Sequence, residues 1–365
     1  MTVDDLKFLR DVTIPHWLMR NVELRGRYIQ YAKTGEEAHR TTQSPLFGLE
    51  NGIKVFRNRL NALHNDALFE SKMAEEKALR AAVAADPELK AEVGSAWDEI
   101  VKANQIYRSF RDEIQFIEFG VGFNSTLFNY ARALVRAAAE REKPNEDRLR
   151  GYTEAALPQL KQRLMANRPI YPELEKVRLS FSLDKMREFL GPDSPYVHQV
   201  LGMKSPDALA EELIDGSKLA DPEARQALWD GGSEAIAASD DPMILLALSL
   251  DEDGRAMFKR YEDEVQAPTD LAYEKIARAR FATEGTSRYP DATFTLRVTY
   301  GAHEGWMEKG EMVRPWTTVD RLFERTTGEP PFRLPENWPD AEEKLGGDTK
   351  FNFVGTTDII GCNSG

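Results

Sequence analysis

Near Thr286-Ser287-Arg288-Tyr289-Pro290 the hydrophobic pattern of this chain changes its period. Upstream, apolar residues recur at helical spacing almost throughout, from residue 1 to about 280. Downstream, Phe294, Leu296, Val298 and Tyr300 alternate with Thr293, Thr295, Arg297 and Thr299, the period of a half-buried strand. A helical period cannot sit as a strand, nor the reverse, so the two patterns demand segregated helical and β regions. The expectation is an α+β fold, mostly α: a large irregular helical domain over residues 1–284 and a β region over 285–365. A length of 365 residues agrees with this division, because single cores stop growing near ~250–300 residues.

The helical region carries its own punctuation. Ser205-Pro206, Asp221-Pro222 and Asp241-Pro242 each place an N-cap side chain before a first-turn proline. Gly216 and Gly231 close the first two segments, and the third covers the apolar run Met243 to Leu250. Ser182 and Gly191-Pro192 are read as brackets of a shorter helix. Leu127, Phe128, Ala131, Leu134, Val135 and Ala138 form a helical stripe that Asn124 or Ser125 caps and Pro144 lies beyond. A second stripe, Ile106, Phe110, Ile114 and Ile117, precedes a break at Gly120-Val121-Gly122. These units have no fixed period, which argues against a regular solenoid. In the β region, Gly305-Trp306 and Gly310 punctuate a hairpin, and Phe353-Val354 with Ile359-Ile360 read as a last strand broken near Gly355.

Charge and cysteine usage remove several functions. Lys and Arg total 48 against 61 Asp and Glu, a formal charge of −13, which repels phosphate backbones and argues against nucleic acid as a partner. No apolar run approaches the ~20 residues of a membrane span. One cysteine, Cys362, excludes an intrachain disulfide framework and a cysteine-based zinc site. Met1 to Arg10 is polar and acidic, unlike a targeting leader. No phosphate-cradling loop, dinucleotide fingerprint or metal-ligand spacing occurs, so no cofactor is expected.

The tract that bears chemistry is Thr357-Asp358-Ile359-Ile360-Gly361-Cys362-Asn363-Ser364-Gly365. A serine in a turn of small residues after a strand is open to a substrate carbonyl. The backbone N–H groups of Ser364 and Cys362 can then point into one oxyanion hole, each such donor being worth about 2.7–4 kcal/mol in the transition state. A simple Ser-Gly turn between strands reads the same way from these five residues alone. Cys362 as a nucleophile is disfavoured, because no basic residue within several positions lowers its pKa.

Longer tracts frame that turn. Leu24-Arg25-Gly26-Arg27 leads to Phe47-Gly48-Leu49-Glu50-Asn51-Gly52-Ile53-Lys54, then Phe123-Asn124-Ser125, then Arg288 to Gly301. Phe323-Glu324-Arg325-Thr326-Thr327-Gly328 and Pro331-Phe332-Arg333-Leu334-Pro335 precede the tract from Asn352 to Gly365. In this order they resemble the bacterial serine dipeptidyl-peptidase family that includes dipeptidyl-peptidases 7 and 11, over essentially the whole chain.

The resemblance implies a chymotrypsin-like peptidase with a large helical domain inserted between two β-barrels. Residues 285–365 would then be the incomplete second barrel, ending at the nucleophile motif. It implies removal of dipeptides from the free amino end of oligopeptides, with Ser364 as nucleophile and the Cys362 and Ser364 N–H groups as oxyanion donors. Glycine is usual at the position of Cys362, and a side chain there hinders backbone conformations that glycine reaches freely. Asn51 is implied as acceptor for the substrate's terminal ammonium, its amide also able to bind a peptide carbonyl. The bland alternative is a helix-cap or surface asparagine.

The family's base and orienting carboxylate lie in the first barrel. His16, His39, His64, His198 and His303 do not stand in that context, so no catalytic His or Asp is assigned and the chain is expected to be an inactive portion of its parent. The determinant of acidic or hydrophobic preference at the first subsite is implied to follow Gly365. The family further implies a periplasmic or secreted homodimer. The competing reading is a non-enzymatic helical interaction module with a small β appendage.

Overall fold

The computed structural model describes residues 2–285, 300–308, 311–329, 332–336, 338, 341–342 and 344–357. It divides into two units, Met1–Arg288 and Tyr289–Gly365. The first is helical. It runs α1 (Val3–Phe8), α2 (Ile14–Ala32), α3 (Glu36–Leu63), α4 (Asp66–Ala85), α5 (Pro87–Val93) and α6 (Ala96–Phe116). It continues through α7 (Thr126–Arg141), α8 (Leu157–Met165), α9 (Pro172–Leu190) and α10 (Pro195–Leu201). The last four are α11 (Pro206–Gly216), α12 (Pro222–Ala237), α13 (Pro242–Tyr261) and α14 (Ala267–Glu284).

Local chemistry sets most of these boundaries. Ser205, Asp221 and Asp241 accept from the first free N–H groups of α11, α12 and α13, each ahead of its proline. Ser125 caps α7 in the same way. Two boundaries differ from the expectation. Ser182 begins no helix: it is buried within α9, where its hydroxyl donates to the Arg178 carbonyl and is satisfied without breaking the turn. Gly231 does not end α12, because the chain kinks at Gly232 (φ 60°) and then resumes helix to Ala237.

The largest apolar core gathers the α7 stripe with Leu179, Leu183 and Met186 of α9 and Met243, Ile244 and Ala247 of α13. Gly120-Val121-Gly122 makes the corner between α6 and α7 and packs against α9, while α7 lies against α12 and α13. Gly120 takes the left-handed conformation (φ 72°), and a Cβ at Gly122 would lie 2.9 Å from the Phe116 carbonyl. Polar keystones lock this bundle. Arg225 is buried and donates to the carbonyls of Leu164, Leu219, Ala220 and Ala166, with its guanidinium 4.4 Å from the Tyr130 ring centre. Arg136 forks onto Glu118 and also reaches Asp251, and Arg255 joins Asp251 to the buried Glu140.

A separate core joins Leu79 and Val83 of α4, Val93 of α5, Trp97 and Ile100 of α6, and Ala272 and Ile276 of α14. Thus α6 runs from one core toward the other.

The second unit carries two small antiparallel pairings. Strand β1 (Trp306–Glu308) pairs with β2 (Glu311–Val313), Trp306 opposite Val313, which is the expected hairpin. Strand β3 (Trp316–Thr318) pairs with β4 (Lys350–Phe353), and a short helix α15 (Asp320–Glu324) follows β3. The strand expected over residues 293–299, and Ile359-Ile360, lie outside the described residues. Mostly helical α+β is therefore the architecture. No described helix is long and apolar enough to cross a membrane.

Candidate functional site

Asn51 lies within α3, on the exposed side of the α2–α3 hairpin. Its amide makes no hydrogen bond among the described residues, and its place inside the helix is not that of a cap. Its neighbours on α3 tie that turn down. Glu50 accepts from Arg25 Nε of α2 at 2.7 Å, which brings together two tracts distant in sequence. A Cβ at Gly52 would lie 2.9 Å from Trp17 Cη2 of α2, so only glycine admits this approach without displacing the indole. Trp17 in turn stacks on Phe56, with ring centres 4.2 Å apart. The indole therefore grips the turn of α3 that follows Asn51. Arg27, two residues after Arg25, lines an open groove of about 490 Å³ with Gln30, Tyr31, Glu173, Lys176 and Asp207.

Phe123-Asn124-Ser125 serves a joint between helices. Glu175 of α9 is buried and accepts from the Ser125 hydroxyl (2.7 Å), the Thr126 N–H (2.6 Å) and the Thr126 hydroxyl (2.9 Å). Arg178 bridges Glu175 and the Asn124 amide oxygen, at 2.9 and 2.8 Å. A carboxylate at the start of α7 also suits the positive end of the helix dipole. Burial beside this joint pushes the Tyr28 phenol up, and the Arg178 charge opposes that shift.

The histidines occupy varied settings. His16 Nδ1 lies 3.1 Å from Arg111 Nη1 and 4.0 Å from Asp112 Oδ1. Arg111 can only donate, so Nδ1 is the acceptor and the ring proton sits on Nε2. Burial and then the Arg111 charge hold His16 below the ordinary histidine range, although Asp112 opposes them. A histidine held neutral by a guanidinium on Nδ1 is the inverse of one oriented by a carboxylate. His39 faces Gln43 on the exposed side of α3, and His64 ends that helix. His303 packs against Phe353, ring centres 4.4 Å apart, and edge-on to Trp316.

Ser364 and Cys362 lie outside the described residues, as does Asn363. The backbone that leads to them is described as far as Thr357. There the Thr356 N–H donates to the Ala302 carbonyl at 2.9 Å, and the Ala302 N–H donates to the Thr356 hydroxyl at 3.0 Å. A Cβ at Gly301 would lie 2.4 Å from the Thr357 nitrogen, and one at Gly355 would lie 3.0 Å from the Ala302 carbonyl. Two glycines thus allow the backbones to cross nearly in contact a few residues before Ser364 in the sequence.

The whole chain, residues 1–365, matches the Peptidase S46 family. It belongs to that family. A curated relative is the Asp/Glu-specific dipeptidyl-peptidase of Shewanella putrefaciens, 26% identical over 242 residues, covering 61% of this chain and 32% of that protein. Among solved structures, DPP11 of Porphyromonas endodontalis aligns over 98% of this S46 chain and 52% of its own length, with TM-score 0.67 and 19% identity. The same protein in complex with the dipeptide Arg-Glu gives 0.68 at 17% identity, again over 98% and 52%. In an alternate conformation it gives 0.55 at 18% identity, over 98% and 50%. This S46 chain therefore spans about half the length of the solved relatives it matches and about a third of the curated one.

Sequence reading placed Arg25 in one tract and Glu50 with Asn51 in another, and the α2–α3 hairpin brings Arg25 to Glu50. It missed Trp17, Glu175 and Arg178. A glycine inside a helix was the signal available for Trp17, since Gly52 costs helix stability unless something must come close. Glu175 carried no comparable signal, because a buried carboxylate that bonds a helix start looks like any other first-turn acid.

Proposed function

We propose that this S46 chain is the helical domain and nucleophile-bearing β segment of a serine exopeptidase that releases dipeptides from the free amino end of oligopeptides. The observation that carries the reading is the family match over residues 1–365, which takes in Gly361-Cys362-Asn363-Ser364-Gly365. The curated relative, a dipeptidyl-peptidase, and the dipeptide held by the solved relative support it.

In this account Ser364 Oγ attacks the carbonyl carbon after the second substrate residue and gives its proton to a base. The N–H groups of Ser364 and Cys362 bind the oxyanion that forms. Collapse expels the shortened peptide as an amine that takes up that proton, and water then hydrolyses the dipeptidyl ester. The base and its orienting aspartate are assigned to polypeptide outside residues 1–365, in a first barrel. Residues 285–365 contribute part of a second chymotrypsin-like barrel, and the exposed faces of β1, β2 and β4 are where further strands would pack. Asn51 accepts from the substrate ammonium through its amide oxygen, which measures the cut two residues from the end. A periplasmic or secreted homodimer belongs to the same reading.

The test uses the complete reading frame that contains these residues, assayed on peptides with free and with acetylated amino ends. Dipeptide release from the free peptides alone, lowered about 10⁶-fold by Ser364→Ala, is the expected result. Equal cleavage of acetylated peptides, or full turnover by the Ser364→Ala enzyme, contradicts the assignment.

A further inference from the structure

Among the described residues of the first unit, helical hydrogen bonding widens to π spacing in two places, and both share one design. Between α1 and α2, Leu9–Thr13 forms a π turn in which the Ile14 N–H donates to the Leu9 carbonyl, five residues back. Between α13 and α14, Glu262–Gln266 does the same, with the Ala267 N–H donating to the Glu262 carbonyl. Each turn is followed by one residue and then a proline, Ile14-Pro15 and Ala267-Pro268. A proline lacks an N–H and clashes with the carbonyl four residues before it, here Asp11 and Glu264, and one wider turn relieves that clash without ending the helix.

The two turns also meet at one side chain. The residue ahead of each is aromatic, Phe8 and Tyr261, and both rings pack on Tyr107 in the middle of α6, at 6.0 and 5.5 Å. Tyr107 therefore sits where the chain passes between the two cores. On one side α1, α4, α5, α14 and the start of α6 form a lobe with its own apolar cluster. That lobe is tied internally by Tyr273 to Asp5 (2.6 Å), Val3 N–H to Glu76 (2.8 Å), Lys275 to Glu99 (2.8 Å) and Arg278 to Glu92 (2.8 Å). On the other side lies the large core of α7 to α13. The first π turn has no buried residue and the second has only Val265.

We infer that the two proline-relieved π turns are a paired hinge, on which the lobe of α1, α4, α5 and α14 rocks about α6 with Tyr107 as its fulcrum. Both turns lie outside the two cores and pack in small clusters of their own, Leu9 beside Ile14 and Phe69, and Val265 with Phe110 and Ile114. Such widened turns are recurrent sites of bending in helices.

The test places spin labels at Glu88→Cys in the lobe and Met203→Cys beyond the large core, both exposed, in a Cys362→Ser background. The distance distribution is measured by pulsed electron resonance, with and without Pro15→Ala and Pro268→Ala together. A broad or double distribution that narrows in the double proline variant is expected. Hydrogen exchange on the unsubstituted chain covers the case in which that variant fails to fold. Amides of residues 9–14 and 262–267 should then exchange about tenfold faster than those of central α6 and α14. One narrow distance unchanged by the substitutions, or protection at both turns equal to that of α6, overturns the hinge.

Discussion

Gly52 and Trp17 approach so closely that a Cβ at position 52 would lie 2.9 Å from the indole. At Gly26 and Gly48, in the same hairpin, a Cβ would meet nothing within 4 Å. Three glycines inside helices therefore separate into one required by packing and two that are not. Gly26→Ala and Gly48→Ala should each stabilise the chain by about 0.5–1 kcal/mol, from helix propensity. Gly52→Ala should instead destabilise it by about 1–2 kcal/mol, because the stacked indole must shift. Urea denaturation of the three variants checks the difference in sign.

Glu175 holds the start of α7 and the Phe123-Asn124-Ser125 tract together. Glu175→Ala removes the acceptor of the Thr126 N–H, of two hydroxyls and of one Arg178 nitrogen, and should cost about 3–5 kcal/mol. Ser125→Ala removes a cap while the carboxylate remains, and should cost nearer 1 kcal/mol. Thermal melts of the two variants order the effects.

Arg225 satisfies four carbonyls that converge on the space between α8 and α12. Arg225→Met keeps volume but supplies no donor, and Arg225→Lys supplies a compact one that cannot span the fork. Both should cost about 3 kcal/mol or more, with the methionine variant worse. A lysine variant as stable as the parent argues against this role.

A half-buried histidine and a buried carboxylate are among the groups that give the helical unit a pH dependence. His16 is held below its ordinary value by burial and by Arg111, with Arg20 adding to them and Asp112 opposing. A depressed histidine binds its proton more readily in the unfolded chain. Its contribution to stability is therefore complete above about pH 6.5 and is lost as pH falls below it. Burial alone would raise the Glu140 carboxyl, but Lys143, the Leu149 N–H and Arg255 outweigh it and hold that pKa low. Its share is present above about pH 4.3 and disappears toward lower pH. Stability measured against pH should thus fall in two stages, and His16→Gln should remove the first while leaving the second.

In the second unit, Met307, Met312, Phe351 and Phe353 are exposed on short strands whose outer edges carry no described pairing. Limited proteolysis of the 365-residue chain should retain a helical core within residues 1–288 and remove sequence beyond it. A resistant product made of residues 289–365 contradicts this.

The helical architecture was legible because its signals are local. An Asp or Ser before a proline states a helix start within three residues, and the structure places α11, α12 and α13 there. Ser182 misled because a serine hydroxyl bonds its own helix as readily as it caps one. The α2–α3 contacts were hidden for a different reason: Arg25 meets Glu50, and Trp17 meets Gly52, only once the hairpin closes. The π turns are marked in the chain by a proline at the second residue of the helix that follows, Pro15 and Pro268, yet a proline at a helix start is also the ordinary signal of a first turn, as at Pro206. Around Ser364, five residues alone suit a nucleophile and a plain Ser-Gly turn equally, and the partners that would activate the hydroxyl share no local pattern with it.

The central claim is that Ser364 becomes the acyl carrier. Its most direct measurement is mass spectrometry of the complete gene product after reaction with a dipeptidyl phosphonate ester bearing a free amine. The account predicts one covalent adduct on Ser364, greatly slowed when the amine is acetylated or when Asn51 is replaced by alanine. An adduct on another residue, or none on Ser364 in an enzyme that releases dipeptides, would contradict it.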